Sequence, residues 1–470
     1  MVKTRLHQLF IQLSKWDINH LEKFLQSPYF NKREDVLQLF YFLKQHPSKA
    51  TRKNGKELAF QAAYPDRPYS DKDVDLLFSY LYKLLEEFLA IQTIKDDKAL
   101  MKMYTVKSYK NLKMAPAFSR AVKASRTILS KSKLRNSEYF RLVYDLENEF
   151  YNYIGSKERI KENNLEELSH VFDIYYISEK IRHYCFQLSH QAVYKTTYKP
   201  ALVKEVIQFV NDHPKYLEYP PIAIYFNYYK AIISEQEDFN FTEFRQKIEQ
   251  FKSHFSTAEI RDIYLAAINI CIRRANKGGI LYINEIFEFY KNGIEQGVLL
   301  ENDELPPFTF LNMISASIKL EKLDFLEKFI KKYSSKISPS FRESNVKYGK
   351  GALYYEQKKY KKAMQLLATL ESNDPLLMLS GKTIQLKMLY ELNEIGTLDA
   401  LLESMRIYLQ RENNLGYHKV IYKDVIQITK RLVNLSPYQP NKKKTLQAKI
   451  EKMQPQSLRQ WFLIQIEKKK

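Results

Sequence analysis

A short pattern that returns at a fixed interval constrains this chain more than any other feature. The stretch Ala352–Tyr360 runs small residue, apolar stretch, acid, polar turn, aromatic, and Ala231–Phe239 follows it in the same register. Partial copies stand 35 residues to either side of the first: Ser317, Ile318, Glu321 and Phe325 before it, Lys387, Met388, Glu391 and Ile395 after it. A fainter copy starts at Ala267 and Ile268. Repetition near this length predicts paired helices, each pair burying its apolar face against the next.

Punctuation agrees. The 470 residues include only 11 Gly and 16 Pro, below ordinary usage of about 7% and 5%, which leaves few of the sharp turns that sheets demand. A hydrophobic fraction of 45% and an aromatic fraction of 14% supply the buried surface that a disordered chain lacks. The expected fold is all-α, a helix-hairpin α-solenoid preceded by a helical N-terminal region. Residues 1–95 form an N-terminal helical domain in this reading, and 96–215 form helical hairpins that include a basic segment. Residues 216–435 carry the repeats, and 436–470 are a basic linker and a C-terminal amphipathic helix.

The unit from Gly351 to Pro375 resembles a tetratricopeptide repeat. Gly351 and Ala363 match that family's two small residues, Tyr354, Tyr360 and Leu367 its bulky packing residues, and Pro375 its closing proline; Glu356 to Lys359 stand at its polar turn. The resemblance extends over about Tyr225 to Leu409, with one well-formed unit and several degenerate ones. It implies a superhelix of paired helices whose concave groove binds a segment or helix of another protein.

Charge is the second informative feature. Lys102 to Arg135 holds ten basic residues and no acidic one, and Lys430 to Lys470 holds eleven against Glu451 and Glu467, so these two segments carry 19 of the 21 net positive charges. The first segment reads as a helical hairpin broken at Ala115-Pro116. In its second helix Phe118, Ala121, Val122, Ser125 and Leu129 fall on one face, so Arg120, Lys123 and Lys131 point away from it. Lys107, Lys110, Lys113, Arg120, Lys123, Arg126 and Lys131 are therefore candidate polyanion-binding residues, able to track a phosphate backbone. Pro440 with Lys442 to Lys444 reads as a linker. The last helix carries Leu458, Trp461, Phe462, Ile464 and Ile466, an apolar face expected to cap the final repeat or, alternatively, to dock a partner.

Catalytic chemistry finds no foothold. Gly349-Lys350-Gly351 lies inside a repeat helix and lacks the rest of a phosphate loop, and Gly278-Gly279 reads as a turn. Asp71, Asp73 and Asp75 follow Ser70, the expected N-cap of a helix from Asp71 to Gln92, where early acids favour the helix dipole. Glu166, His170 and Asp173 have metal-like spacing but read more simply as a solvated helix face. The clustered aromatics at Tyr225, Phe226, Tyr228 and Tyr229, and from Tyr139 to Tyr153, read as core. Two cysteines, Cys185 and Cys271, make neither a disulfide framework nor a four-ligand zinc site. There is no signal-peptide pattern and no run of 18 or more apolar residues. The expectation is a cytoplasmic, non-enzymatic protein with no cofactor and no metal, acting as a protein–protein interaction scaffold. The alternative is a nucleic-acid-binding protein that uses the basic helices 102–135 and the C-terminal tail.

Overall fold

The computed structural model describes residues 4–47, 54–155, 163–194, 196–234, 238–276, 281–412, 415–416, 418–436, 438–453 and 456–469. Gly278-Gly279, the polar turn of the Ala231 copy at 235–237, Pro437 and Lys470 lie outside them. The described residues form 23 α-helices and three short 3-10 helices, with no strand. None of the described helices is long and apolar enough to cross a membrane.

The chain divides into two compact units, Met1–Ser132 with Ser137–Tyr175, and Lys133–Asn136 with Tyr176–Lys470. In the first, the helix Asp71–Asp96 begins at Ser70, whose Oγ accepts from the Asp73 amide at 3.3 Å. This helix packs on Glu34–Gln45 and Gly55–Ala63. Leu77, Leu81 and Leu85 recur every four residues along it and are fully buried with Leu39 and Phe40. The helices Lys98–Asn111 and Ala115–Lys131 form the basic hairpin, and Ser137–Gly155 packs against both. The turn falls at Leu112 to Met114, slightly earlier than Ala115-Pro116; Pro116 sits in the first helical turn, where its missing N–H costs nothing.

In the second unit five helix pairs follow one another. They are Pro220–Ile233 with Asp238–Phe251, Thr257–Asn276 with Leu281–Glu295, Pro307–Lys319 with Leu323–Tyr333, Pro339–Glu356 with Tyr360–Ala368, and Pro375–Glu391 with Ile395–Arg411. Four of the five leading helices start on proline, whose fixed φ is pre-set for a helix start. Pro339–Glu356 also packs against the leading helices before and after it.

Three of these pairs close with one turn. Glu321, Lys358 and Asn393 adopt φ of 55°, 59° and 58°. The next amide then reaches back five residues: Lys322 to the Ser317 carbonyl at 2.9 Å, Lys359 to Tyr354 at 2.8 Å, Glu394 to Leu389 at 2.9 Å. This is the Schellman arrangement, which satisfies carbonyls left over at a helix end. The basic hairpin uses it as well, with Lys113 at φ 56° and the Met114 amide bonded to Tyr109 at 3.0 Å.

The expected linker at Pro440 and Lys442 to Lys444 is a helix, Pro440–Glu451. Only Leu446 and Ile450 are buried on it. Two apolar residues one turn apart are enough to seat one face but leave a composition that reads as solvated. The final helix, Gln456–Lys468, packs on it, and Trp461, Phe462 and Ile466 are buried in a core shared with Leu398, Leu402 and Val425. The chain itself thus covers Trp461, Phe462 and Ile466 of the last helix's apolar face, while Ile464 stays 51% exposed.

Candidate functional site

Around Gly351 the repeat-packing residues come together. A Cβ built on Gly351 would lie 2.6 Å from Cδ2 of Leu367, so the two helices of this pair touch where a side chain would not fit. Ala363 is fully buried beside Leu367, and Tyr354 and Tyr360 pack on the same cluster from its edge. Pro375 opens the next helix, where Asp374 accepts from the Leu376 amide at 2.9 Å. Gly381 repeats the close approach, its Cβ position lying 2.5 Å from Leu370.

Glu391 organises the polar groups of this region. Its carboxylate accepts from Tyr355 Oη at 2.7 Å, from Trp461 Nε1 at 2.8 Å and from Tyr360 Oη, and Lys358 Nζ lies 3.7 Å away. Burial pushes the Glu391 pKa up, but the bonds from Trp461, Tyr360 and Tyr355 prevail and hold it below the ordinary value. Burial, and then the bond to Glu391, push the Tyr355 phenol far up. One turn of the repeat away, Glu356 is raised by burial, with Glu391 and Glu321 adding like-charge repulsion. Lys387 and Lys358 oppose that rise at Glu356, the middle one of the three acids that share a register in the sequence.

The basic hairpin is less bare than its sequence. Glu149 on Ser137–Gly155 bonds Lys110 and stands 3.9 Å from Lys107. Glu147, 2% exposed, takes Arg126 in a two-pronged pair at 2.8 and 2.5 Å, and this pairing raises the guanidinium pKa. Arg126 also lies over the Phe150 ring at 4.6 Å. Lys107, Lys110 and Arg126 thus serve the helix packing. Lys113, Arg120, Lys123 and Lys131 are exposed, and among the described residues no carboxylate pairs with them. All five residues of the predicted inner face, Phe118, Ala121, Val122, Ser125 and Leu129, are buried.

Other candidates resolve into structure. Asp75 pairs with Lys56 at 2.6 Å, Asp73 with Arg67 at 3.1 Å, and Asp71 accepts from Tyr69 Oη at 2.6 Å. Among the described residues no group of three or more His, Cys, Asp or Glu is placed to hold a metal ion. Tyr225, Phe226 and Tyr228 are buried. Both thiols are buried, and desolvation pushes each well up, away from the reactive thiolate. Comparison with protein-family models, with curated proteins and with solved structures finds no match.

Proposed function

We propose that the chain is a protein–protein interaction scaffold, its second unit a tetratricopeptide-like superhelix that holds a segment or helix of a partner in the groove of its helix pairs. One observation carries the reading: three successive pairs close with the same left-handed turn, at Glu321, Lys358 and Asn393, spaced 37 and 35 residues apart. Tandem pairs of this kind present one face of each leading helix in series, a surface suited to an extended peptide or a helix. The proposal is of a binding protein without catalytic machinery.

Co-purification of the intact chain from its source lysate, with and without nuclease, tests it. A stoichiometric protein partner that survives nuclease is the expected result; no such partner overturns it.

A second reading, binding to an RNA or DNA backbone, is favoured by the exposed cations Lys113, Arg120, Lys123 and Lys131. It predicts affinity for a mixed oligonucleotide that falls steeply with salt and is lost when these four become Glu. Retained affinity in that variant excludes it.

A further inference from the structure

Residues of the helices His418–Val433 and Pro440–Glu451, with Asn434, Leu435 and Gln439 between them, line a surface cavity of about 500 Å³. Its floor is apolar, formed by Leu435 and Leu446, which are 6% and 3% exposed. It is also lined by Lys430, Arg431 and Lys442 and by Asn434 and Asn441, all exposed.

Among the described residues no carboxylate lines this cavity, although each helix bears one acid. Asp424 is held by Lys449 at 3.0 Å, and Glu451, at the far end of its helix, accepts from Gln447 at 3.2 Å. Glu403 on the neighbouring helix acts on Lys430 but is bound to Arg406 at 2.6 Å. Three cations therefore line an apolar hollow with nothing inside it to balance them.

That combination selects its occupant. Exposed charges in water contribute mainly orientation and association rate, and affinity comes from a large side chain buried in a central pocket. A phosphodiester strand would satisfy the cations, but its bases would meet Leu435 and Leu446 and no aromatic ring among the lining residues on which to stack. An acidic peptide with one bulky apolar side chain satisfies both parts. We infer that this cavity is a docking site for an acidic protein segment, anchored by a single large aliphatic or aromatic residue. The inference goes beyond the scaffold reading, because the cavity lies outside the turn-matched helix pairs and does not depend on what they bind.

The test is fluorescence anisotropy on the intact chain with three labelled probes: a decapeptide of Asp and Glu with one central Phe, the same peptide with central Ala, and a ten-nucleotide oligo-dT. The Phe peptide should bind, should weaken with salt, and should lose about tenfold in affinity when Phe becomes Ala. Lys430→Glu with Arg431→Glu and Lys442→Glu should lower its affinity about tenfold or more. The near-isosteric pair Asn434→Asp and Asn441→Asp should weaken it in the same direction, which covers the case in which the triple variant fails to fold. Unchanged affinity in the Asp pair, or equal affinity for the Phe and Ala peptides, overturns the inference. Oligo-dT bound as tightly and weakened by the same substitutions also overturns it and assigns the cavity to nucleic acid. Failure of the co-purification experiment bears only on the helix pairs and leaves these outcomes readable.

Discussion

At Lys358 and at Lys113 the chain reverses direction through the same turn, a left-handed residue followed by an amide that reaches back five positions. The helices that the two turns join differ in how closely they approach and in what they leave exposed. The Lys358 pair is drawn together by a glycine contact and by a carboxylate that accepts from two tyrosines and a tryptophan. The Lys113 pair also takes its carboxylates, Glu147 and Glu149, from the next helix, but it has no glycine and leaves Arg120, Lys123 and Lys131 in water. A shared turn thus fixes how the chain reverses but not what the two helices present. The first pair is built to stack on its neighbours, and the second to show a charged face.

The largest effect should come from filling the contact at Gly351. Gly351→Val puts a branched side chain where Cβ alone would stand 2.6 Å from buried Leu367. Overpacking of this kind costs about 2–3 kcal/mol, reduced slightly by the better helix propensity of valine. Gly396→Ala is the control, because nothing lies within 4 Å of its Cβ position; it should be neutral or stabilising by up to about 1 kcal/mol. Thermal or urea unfolding separates the two. If both variants unfold alike, Gly351 is not the close contact that distinguishes the stacking pair.

Glu391→Gln should come next, at about 2 kcal/mol, since it replaces charge-assisted bonds to Tyr355, Tyr360 and Trp461 with weaker ones. The pH dependence has a definite sign. The folded pKa of Glu391 lies below its ordinary value of 4.5, so its stabilisation is complete above that value and is lost as pH falls through the folded pKa. The stability gap between the natural chain and Glu391→Gln should therefore be widest near neutrality and close progressively as the pH drops below 4.5. A gap that is constant with pH would mean that the charge of Glu391 does not hold the three donors.

Much of this was legible in the sequence because it depends on residues within one or two turns of each other. The inner face of Ala115–Lys131 follows from a 3.6-residue period, and the cap at Ser70 from its position before Asp71 and Asp73. What escaped depends on distant partners. Glu147 and Glu149 sit 21 and 39 residues beyond Arg126 and Lys110, so an acid-free stretch of sequence became a partly paired surface. Trp461 reaches back 70 residues to Glu391, and no local pattern encodes that bond. The turns were legible but their left-handed conformation was not: Lys113, Glu321 and Lys358 stand where glycine is usual, and of the four only Asn393 is a residue that favours it.

That use of lysine gives the smallest and sharpest test. A non-glycine residue in the left-handed region costs about 1–2 kcal/mol, and glycine there loses about 0.5–1 kcal/mol of that advantage through the freedom it adds to the unfolded chain. Lys113→Gly should therefore stabilise the first unit by roughly 0.5–1 kcal/mol. Lys358→Gly relieves the same strain but removes an ammonium that lies 5.4 and 5.7 Å from the Tyr355 and Tyr360 rings and 3.7 Å from Glu391. Exposed cation–π contacts contribute about 0.5–1 kcal/mol, so the gain at Lys358 should shrink to near zero. Equal gains at both positions would show that Lys358 adds nothing beyond its turn, and that the Tyr355, Tyr360 and Glu391 cluster holds the stacking pair without it.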